Sequence, residues 1–272
     1  MFSTGGAAIK ACSLNSWQIA CFRSGIAAIS VALLLPESRR IFHPRVFGVG
    51  IFYAATLVLF VLATKLTSSA HAIFLQSTAP LYLLLLAPWL LHEPRRRSDL
   101  IMVSVVAAGA ILLLFGAQHV GATAPDPTRG NWYGALSGIT WALTMTGLRW
   151  FGKHEDATES PATVVVAGNI IAFLACLPMA LPVTHATTAD IEVLIYLGVV
   201  QIGLAYMALT RSIRHLPAIE ATTLLLLEPV FNPLWTWLLQ GERLGATTVA
   251  GGALILCATF GSTWYHSREH LR

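Results

Sequence analysis

Long apolar runs, each closed by a short polar or basic stretch, follow one another along the whole chain. A membrane-crossing helix needs roughly 20 mainly apolar residues, because the hydrocarbon layer is about 30 Å thick and a helix rises about 1.5 Å per residue. Nine segments meet or approach that length: Trp17–Leu35, Val46–Ala63, Ala70–Leu91, Leu100–Ala117, Asn131–Phe151, Ala162–Leu181, Ile191–Leu209, Ala218–Gln240 and Ala246–Trp264. The runs are nearly continuous, whereas barrel strands alternate over about ten residues. Met1–Cys12 reads as the last third or half of a further helix ending at Lys10. Twelve residues rise only about 18 Å, so this segment is expected to be a truncated first helix, a chain start set too late, or a short re-entrant or interfacial stretch. The pattern predicts an all-α, multi-pass membrane bundle on a ten-helix plan.

Basic residues mark alternate connections. Arg39, Arg40 and Arg45 fall in the second, Arg95, Arg96 and Arg97 in the fourth, Arg149 and Lys153 in the sixth, and Arg211 and Arg214 in the eighth. Arg268 and Arg272 follow the last span, while the intervening connections hold only Lys10, Lys65, Arg129 and Arg243. The positive-inside rule assigns the rich side to the cytoplasm, together with the C-terminus. The expected location is the cell inner membrane.

Composition agrees and removes other classes. Hydrophobic residues make up 56% and charged ones 11%, too few charges for a water-facing domain, which carries about 25%. The net charge of +4 sits in short clusters between spans, so no nucleic-acid partner is implied. Cys12, Cys21, Cys176 and Cys257 have no CxxC spacing, and neither a metal site nor a disulfide framework is indicated. With neither GxGxxG nor GxxxxGK in the chain, no nucleotide cofactor or ATP-driven pump has support. No cofactor is expected, and no convergent nucleophile and base suggests an enzyme.

The chain also repeats itself. At an offset of 149 residues Ala72 meets Ala221, Leu75 meets Leu224, Pro80 meets Pro229, Leu85 meets Leu234, Leu90 meets Leu239 and Glu93 meets Glu242. Leucine matches are cheap in apolar sequence, but proline and glutamate matches at one offset are not. Two five-helix halves are predicted, 1–118 and 130–265, joined by GAQHVGATAPDPTRG. Five is odd, so the halves enter the bilayer with opposite orientations, an inverted repeat of the kind found in secondary transporters.

These residues carry a family resemblance. The twofold five-helix plan, the pairs Pro80/Glu93 and Pro229/Glu242, the GGAAIK tail of a first helix and Arg23 early in the second resemble the EamA-type branch of the drug/metabolite transporter superfamily. The resemblance covers essentially the whole chain and implies a ten-helix inner-membrane permease. Many such permeases export amino acids or other small metabolites, and some import them. The departure is the missing first half of helix one.

An ionisable group inside hydrocarbon is a functional candidate by default. Glu228 lies in mid-span, with Asn232 and Trp235 at i+4 and i+7 on about the same helical face. Pro229 and Pro233 free carbonyls on that helix. Two readings stand for Glu228: a cavity or proton-coupling role, and structural pairing with a neighbouring helix. Glu220 and His71 occupy matching repeat positions near helix starts, where gating contacts compete with ordinary interfacial solvation. Gln76, Tyr82, Gln201 and Tyr206 are uncharged polar or aromatic candidates, as is Asn169, and Trp141 falls centrally in its span. Gly134-x-x-x-Gly138 and Gly48-x-Gly50 read as packing devices.

The expected activity is movement of a small metabolite, such as an amino acid or drug-like compound, by alternating access, with export favoured by the resemblance. The expected partners are a small-molecule substrate and the lipid bilayer, with protons as a candidate coupling ion. The chain is expected to act as monomer or homodimer. Uptake or exchange is the alternative within transport, although Arg23 and Lys65 give a large anionic substrate such as a nucleotide sugar poor support. A non-transporting scaffold or receptor is the alternative outside it, and would lack the continuous polar cavity that a carrier requires.

Overall fold

The structure, a computed structural model, describes residues 1–39, 44–83, 97–116, 121–152, 161–213 and 218–270. Side chains are described for these apart from 97–99, 149–152, 210–213, 218–226, 263 and 265–270. The described residues form helices throughout and no named strand, with a single isolated bridge between Gly121 and Ala124. The helices are α1 (Gly5–Ala11, after a 3-10 turn at Phe2–Thr4), α2 (Ser16–Leu34), α3 (Pro44–Leu66), α4 (Ser69–Gln76), α5 (Arg97–Phe115), α6 (Pro127–Gly152) and α7 (Pro161–Ala180). Then come α8 (Thr188–Ile195), a π-helical stretch (Tyr196–Leu204), α9 (Ala205–Ile213), α10 (Ala218–Gln240) and α11 (Ala246–His270).

Local chemistry sets the starts and stops. Pro44, Pro127 and Pro161 open α3, α6 and α7, where proline's missing N–H costs nothing. Asn15 and Gln18 form a capping box at the start of α2, and Thr187 and Asp190 form another at α8. The span expected over Ala70–Leu91 is interrupted. A turn at Ser77–Thr78 separates α4 from a helical stretch at 79–83, and the remainder lies outside the described residues. Two features explain the break: Pro80 has no N–H to give, and the Ser77 and Thr78 hydroxyls bond back to Ile73 O and Leu75 O at 2.7 and 2.6 Å. The span expected over Ile191–Leu209 is one rod from α8 to α9 with its middle wound as π-helix.

Among the described residues four rods are long and apolar enough to cross a membrane, Ser16–Leu34, Pro44–Leu66, Pro161–Ala180 and Thr188–Leu209, with shorter apolar stretches at Leu100–Phe115 and Ala246–Ser262. The distribution of polarity is that of a bundle in lipid. Leu33, Ile101 and Leu239 face outward, while Arg23, Asn169, Gln201 and Asn232 are buried. One apolar core gathers Ile9, Ile19, Phe60, Leu75, Leu113, Leu197 and Ile255; a second gathers Val31, Val46, Tyr53, Val165 and Ile202. The main helix pairs are α3 with α6, α2 with α7, α3 with α7, and α5 with α11.

Glycines let some of these pairs close up. A Cβ on Gly138 would stand 2.8 Å from Leu75 O, and one on Gly134 3.1 Å from the Leu75 side chain, so this spacing seats α4 on α6. Gly50 packs on α7 at Gly168, whereas Gly48 faces open space.

Contacts at one end of the bundle reveal helix direction. The C-terminal ends of α1, α3 and α10 meet the N-terminal end of α4 there, through Lys10, Thr67, Glu242 and Ser69. The start of α4 therefore lies against the end of α10, and the two helices run in opposite directions.

Candidate functional site

Two groups of polar side chains stand out. The first forms a layer at the Lys10 end. Gly241 adopts φ 66° and its N–H donates to Trp237 O at 3.0 Å, a left-handed stop that turns Glu242 back over the bundle. Glu242 is buried, lies 3.4 Å from Lys10 Nζ, and accepts from Ser69 N at 3.0 Å. Lys10 also donates to Thr67 O at 2.7 Å and to Thr123 O. Beside it, Lys65 Nζ donates to Cys12 O at 2.8 Å. Thr67 donates to Asn131 Oδ1 at 2.8 Å, and Asn131 Nδ2 to Leu113 O at 2.9 Å. Asp190 accepts from Ser13 N and Oγ at 2.6 and 2.7 Å and from Thr187 N and Oγ at 2.9 and 2.7 Å. The α1–α2 turn is thereby pinned to the start of α8. His71 belongs to this layer: it is buried, and its Nδ1 lies 2.7 Å from Ser68 Oγ. The side chain of Glu220 lies outside the described residues.

The second group lies halfway along the helices. Tyr53 on α3 donates to Tyr206 on α9 at 3.1 Å between hydroxyls. Their rings stand 6.3 Å apart at 76°, and Trp141 on α6 lies 6.4 Å from Tyr53. Phe2 meets Tyr206 edge-on at 5.3 Å. Glu228 on α10 is half-buried and within electrostatic range of both tyrosines. Arg23 on α2, 2% exposed, is within that range of Tyr53 from another side. Asn169 on α7 is fully buried; its Nδ2 donates to Val165 O at 2.8 Å while its Oδ1 has no partner. Gln201, in the π-helical stretch, likewise has an unpartnered Oε1, and its Nε2 reaches Phe2 O at 3.4 Å. π-helical turns are frequent at functional sites.

The structure thus brings Trp141, Tyr206, Gln201 and Glu228 toward one region. Asn232 and Trp235 lie further along α10 against the start of α1. Asn232 is fully buried and accepts from Ser69 Oγ at 2.5 Å, and a Cβ on Gly6 would stand 2.5 Å from its Oδ1. Trp235 donates to Ser3 Oγ at 3.2 Å. Gln76 and Tyr82 are half-buried along the interrupted fourth span, and no described contact joins them to the aromatic group. A groove of about 600 Å³ opens between α2 and α7, lined by Phe22, Ile26, Ile29, Val166, Ile170 and Phe173. Apart from Arg39 its walls are apolar, and Ile29 is exposed; Glu228, Asn232 and Trp235 do not line it.

Sequence reasoning passed over three residues. Asp190 sits at a helix start, and the Thr-x-x-Asp capping pattern was the available signal. Arg23 served as a marker of the second helix, although an arginine inside a span is itself a signal. Tyr53 gave none beyond being aromatic in a span.

The comparisons with known proteins fit this architecture. The model of the EamA-like transporter family matches residues 1–115 and 128–264. The chain belongs to the EamA-like transporter family. It is 27% identical over 269 residues to the pseudopaline exporter CntI of Pseudomonas aeruginosa, covering 94% of this chain and 90% of that protein. An uncharacterized transporter of Archaeoglobus fulgidus is 23% identical over 254 residues, covering 91% and 88%. A solved crystal structure aligns with a TM-score of 0.62 at 17% identity, over 98% of this chain and 94% of that one, which speaks to the fold alone. This EamA-like protein is a multi-pass membrane transporter, and the family points away from catalysis.

Proposed function

We propose that this transporter exports a small amphipathic metabolite across the inner membrane by alternating access, with the Tyr53–Trp141–Tyr206 region as its binding site. Supporting this reading is one observation above all: six different rods converge there, and buried acceptors on Asn169 and Gln201 are left without protein partners. Buried polar groups are normally satisfied, and a transport site must release its solute and so cannot satisfy them permanently. Two inverted five-helix halves, 1–118 and 130–265, supply the exchange of shapes, and the opposed directions of α4 and α10 suit that plan. The charge pattern assigns the Lys10 end to the outer face and the C-terminus to the cytoplasm, so the polar layer there is the outer gate. A relative named as an exporter favours outward movement. A proton or solute gradient supplies the energy, and Glu228 carries the coupling proton.

Vesicles reconstituted with the full chain and loaded with a metabolite mixture test this. Efflux is expected to rise with an imposed pH gradient, and Glu228→Gln is expected to remove that rise while leaving downhill flux. Equal dependence on the gradient in both proteins would take Glu228 out of coupling; no efflux of any component would remove the carrier reading.

A further inference from the structure

We propose that Arg23 is the anion anchor of this transport site, and that the solute carries a carboxylate together with N–H or O–H donors. The inference rests on the transport reading above and names the substrate class for that site.

Arg23 heads the largest fully buried side chains. A guanidinium offers five N–H donors, and this one makes a single described hydrogen bond, from Nη2 to Leu57 O at 3.3 Å, beyond the usual range for an N–H to oxygen contact. Its Nε has no partner. A cation placed in a membrane span pairs with a carboxylate or with backbone carbonyls, or lies on a solute path, and the single long carbonyl contact here leaves most of the guanidinium's donors uncommitted. Among the described residues the protein's buried carboxylates are committed elsewhere. Glu242 is held by Lys10 and Ser69, and Asp190 by Ser13 and Thr187. Glu228 makes no ion pair with Arg23. The place of a counter-charge is thus left for a solute to fill.

The surroundings say what. Arg23 lies seven residues into α2, about 10 Å from the Lys10 end, and Tyr53 thirteen residues before the end of α3, about 20 Å from it. The cation therefore stands between the closed end and the aromatic group, where a solute resting on Tyr53 and Trp141 can reach it. The nearby orphaned atoms, Asn169 Oδ1 and Gln201 Oε1, are acceptors and call for donors on the same solute. A carboxylate for the arginine, N–H donors for the amide oxygens and an apolar body for the rings describe an amino-carboxylate. The single guanidinium also fits one carboxylate better than the several phosphate charges of a nucleotide sugar.

The test compares L-phenylalanine and L-leucine with their carboxamides, in which a neutral amide takes the place of the carboxylate. Binding to the full chain in lipid nanodiscs is read as the ligand-induced rise in melting temperature across a concentration series. The wild type is expected to bind the acids over the amides by at least about tenfold, the size of one good charge-assisted contact. Arg23→Gln is expected to bring that ratio to about one. Arg23→Lys keeps the charge without the planar fork and is expected to lower the ratio several-fold; it decides the matter if the Gln variant fails to fold. A wild type that does not separate acid from amide overturns the proposal, as does an unchanged ratio in the variants. Efflux of the same compounds is measured separately. Preference for acids without any flux upholds the anchor and removes the carrier reading, and flux of the amides at the rate of the acids does the reverse.

Discussion

At the Lys10 end the buried cation has a carboxylate facing it; halfway along the bundle the buried cation has none among the described residues. Lys10 has Glu242, Thr67 and Thr123, and Asp190 has both hydroxyls and both amides of its neighbours. In the middle, Arg23, Asn169 and Gln201 each keep an atom without a hydrogen-bond partner, as Thr64, Gln240 and Glu242 do at the Lys10 end, but Arg23 also lacks an ion-pair partner among the described residues. Burial is similar in the two regions, so exposure does not separate them. What separates them is the pairing of charge. A buried charge that already has its counter-charge resists separation, whereas one without a carboxylate is left open to a visitor. The first suits a gate and the second a binding site.

The largest break in that contrast comes at the ion pair. Lys10→Ala leaves Glu242 buried and uncompensated, and unfolding in detergent is expected to become easier by about 3–5 kcal/mol. The pair of changes Lys10→Met and Glu242→Leu is expected to recover most of it, because the loss arises from one stranded charge and not from the pair's net worth. If the double variant were as unstable as the single one, the layer would owe its stability to more than this pair. Next comes Asp190→Ala, which frees the α1–α2 turn from α8. Its expected cost is about 1.5–3 kcal/mol, the worth of hydrogen bonds to a charged group, and hydrogen exchange at Ser13 and Thr187 is expected to accelerate. The smallest effect on stability belongs to the middle. Tyr206→Phe removes one neutral hydrogen bond, worth about 1 kcal/mol, yet solute flux is expected to fall by a larger factor than stability predicts. A variant with equal melting temperature and equal flux would erase the distinction between the two regions.

Much of the fold was legible from apolar run length, because the bilayer imposes a minimum span and punishes polar interruptions. Even Ala218–Gln240 was readable residue for residue, since a basic connection precedes it and a glycine ends it. The break at Ser77–Thr78 was less legible. Proline alone does not predict it: Pro229 and Pro233 lie inside α10, which stays continuous, and the difference lies in the hydroxyl side chains just before Pro80. Within the site, Glu228 was visible as a carboxylate where none is cheap. Asn232 had the right spacing to join it, but spacing on one helix does not reveal which neighbour covers that face, and here α1 and Ser69 do. Tyr53 and Tyr206 meet from different helices, which no single-helix pattern can show.

The π-helical stretch Tyr196–Leu204 has a consequence for everything downstream of it. An α-helix advances about 100° per residue, while bonds from i to i+5 wind the chain more loosely. Rewound as an ordinary α-helix, that stretch would spin Tyr206 about the rod's axis and carry its hydroxyl away from Tyr53. The meeting of the two phenols is thus a matter of winding, and a change of pitch in a neighbouring turn is enough to dismantle it without moving the rod sideways at all.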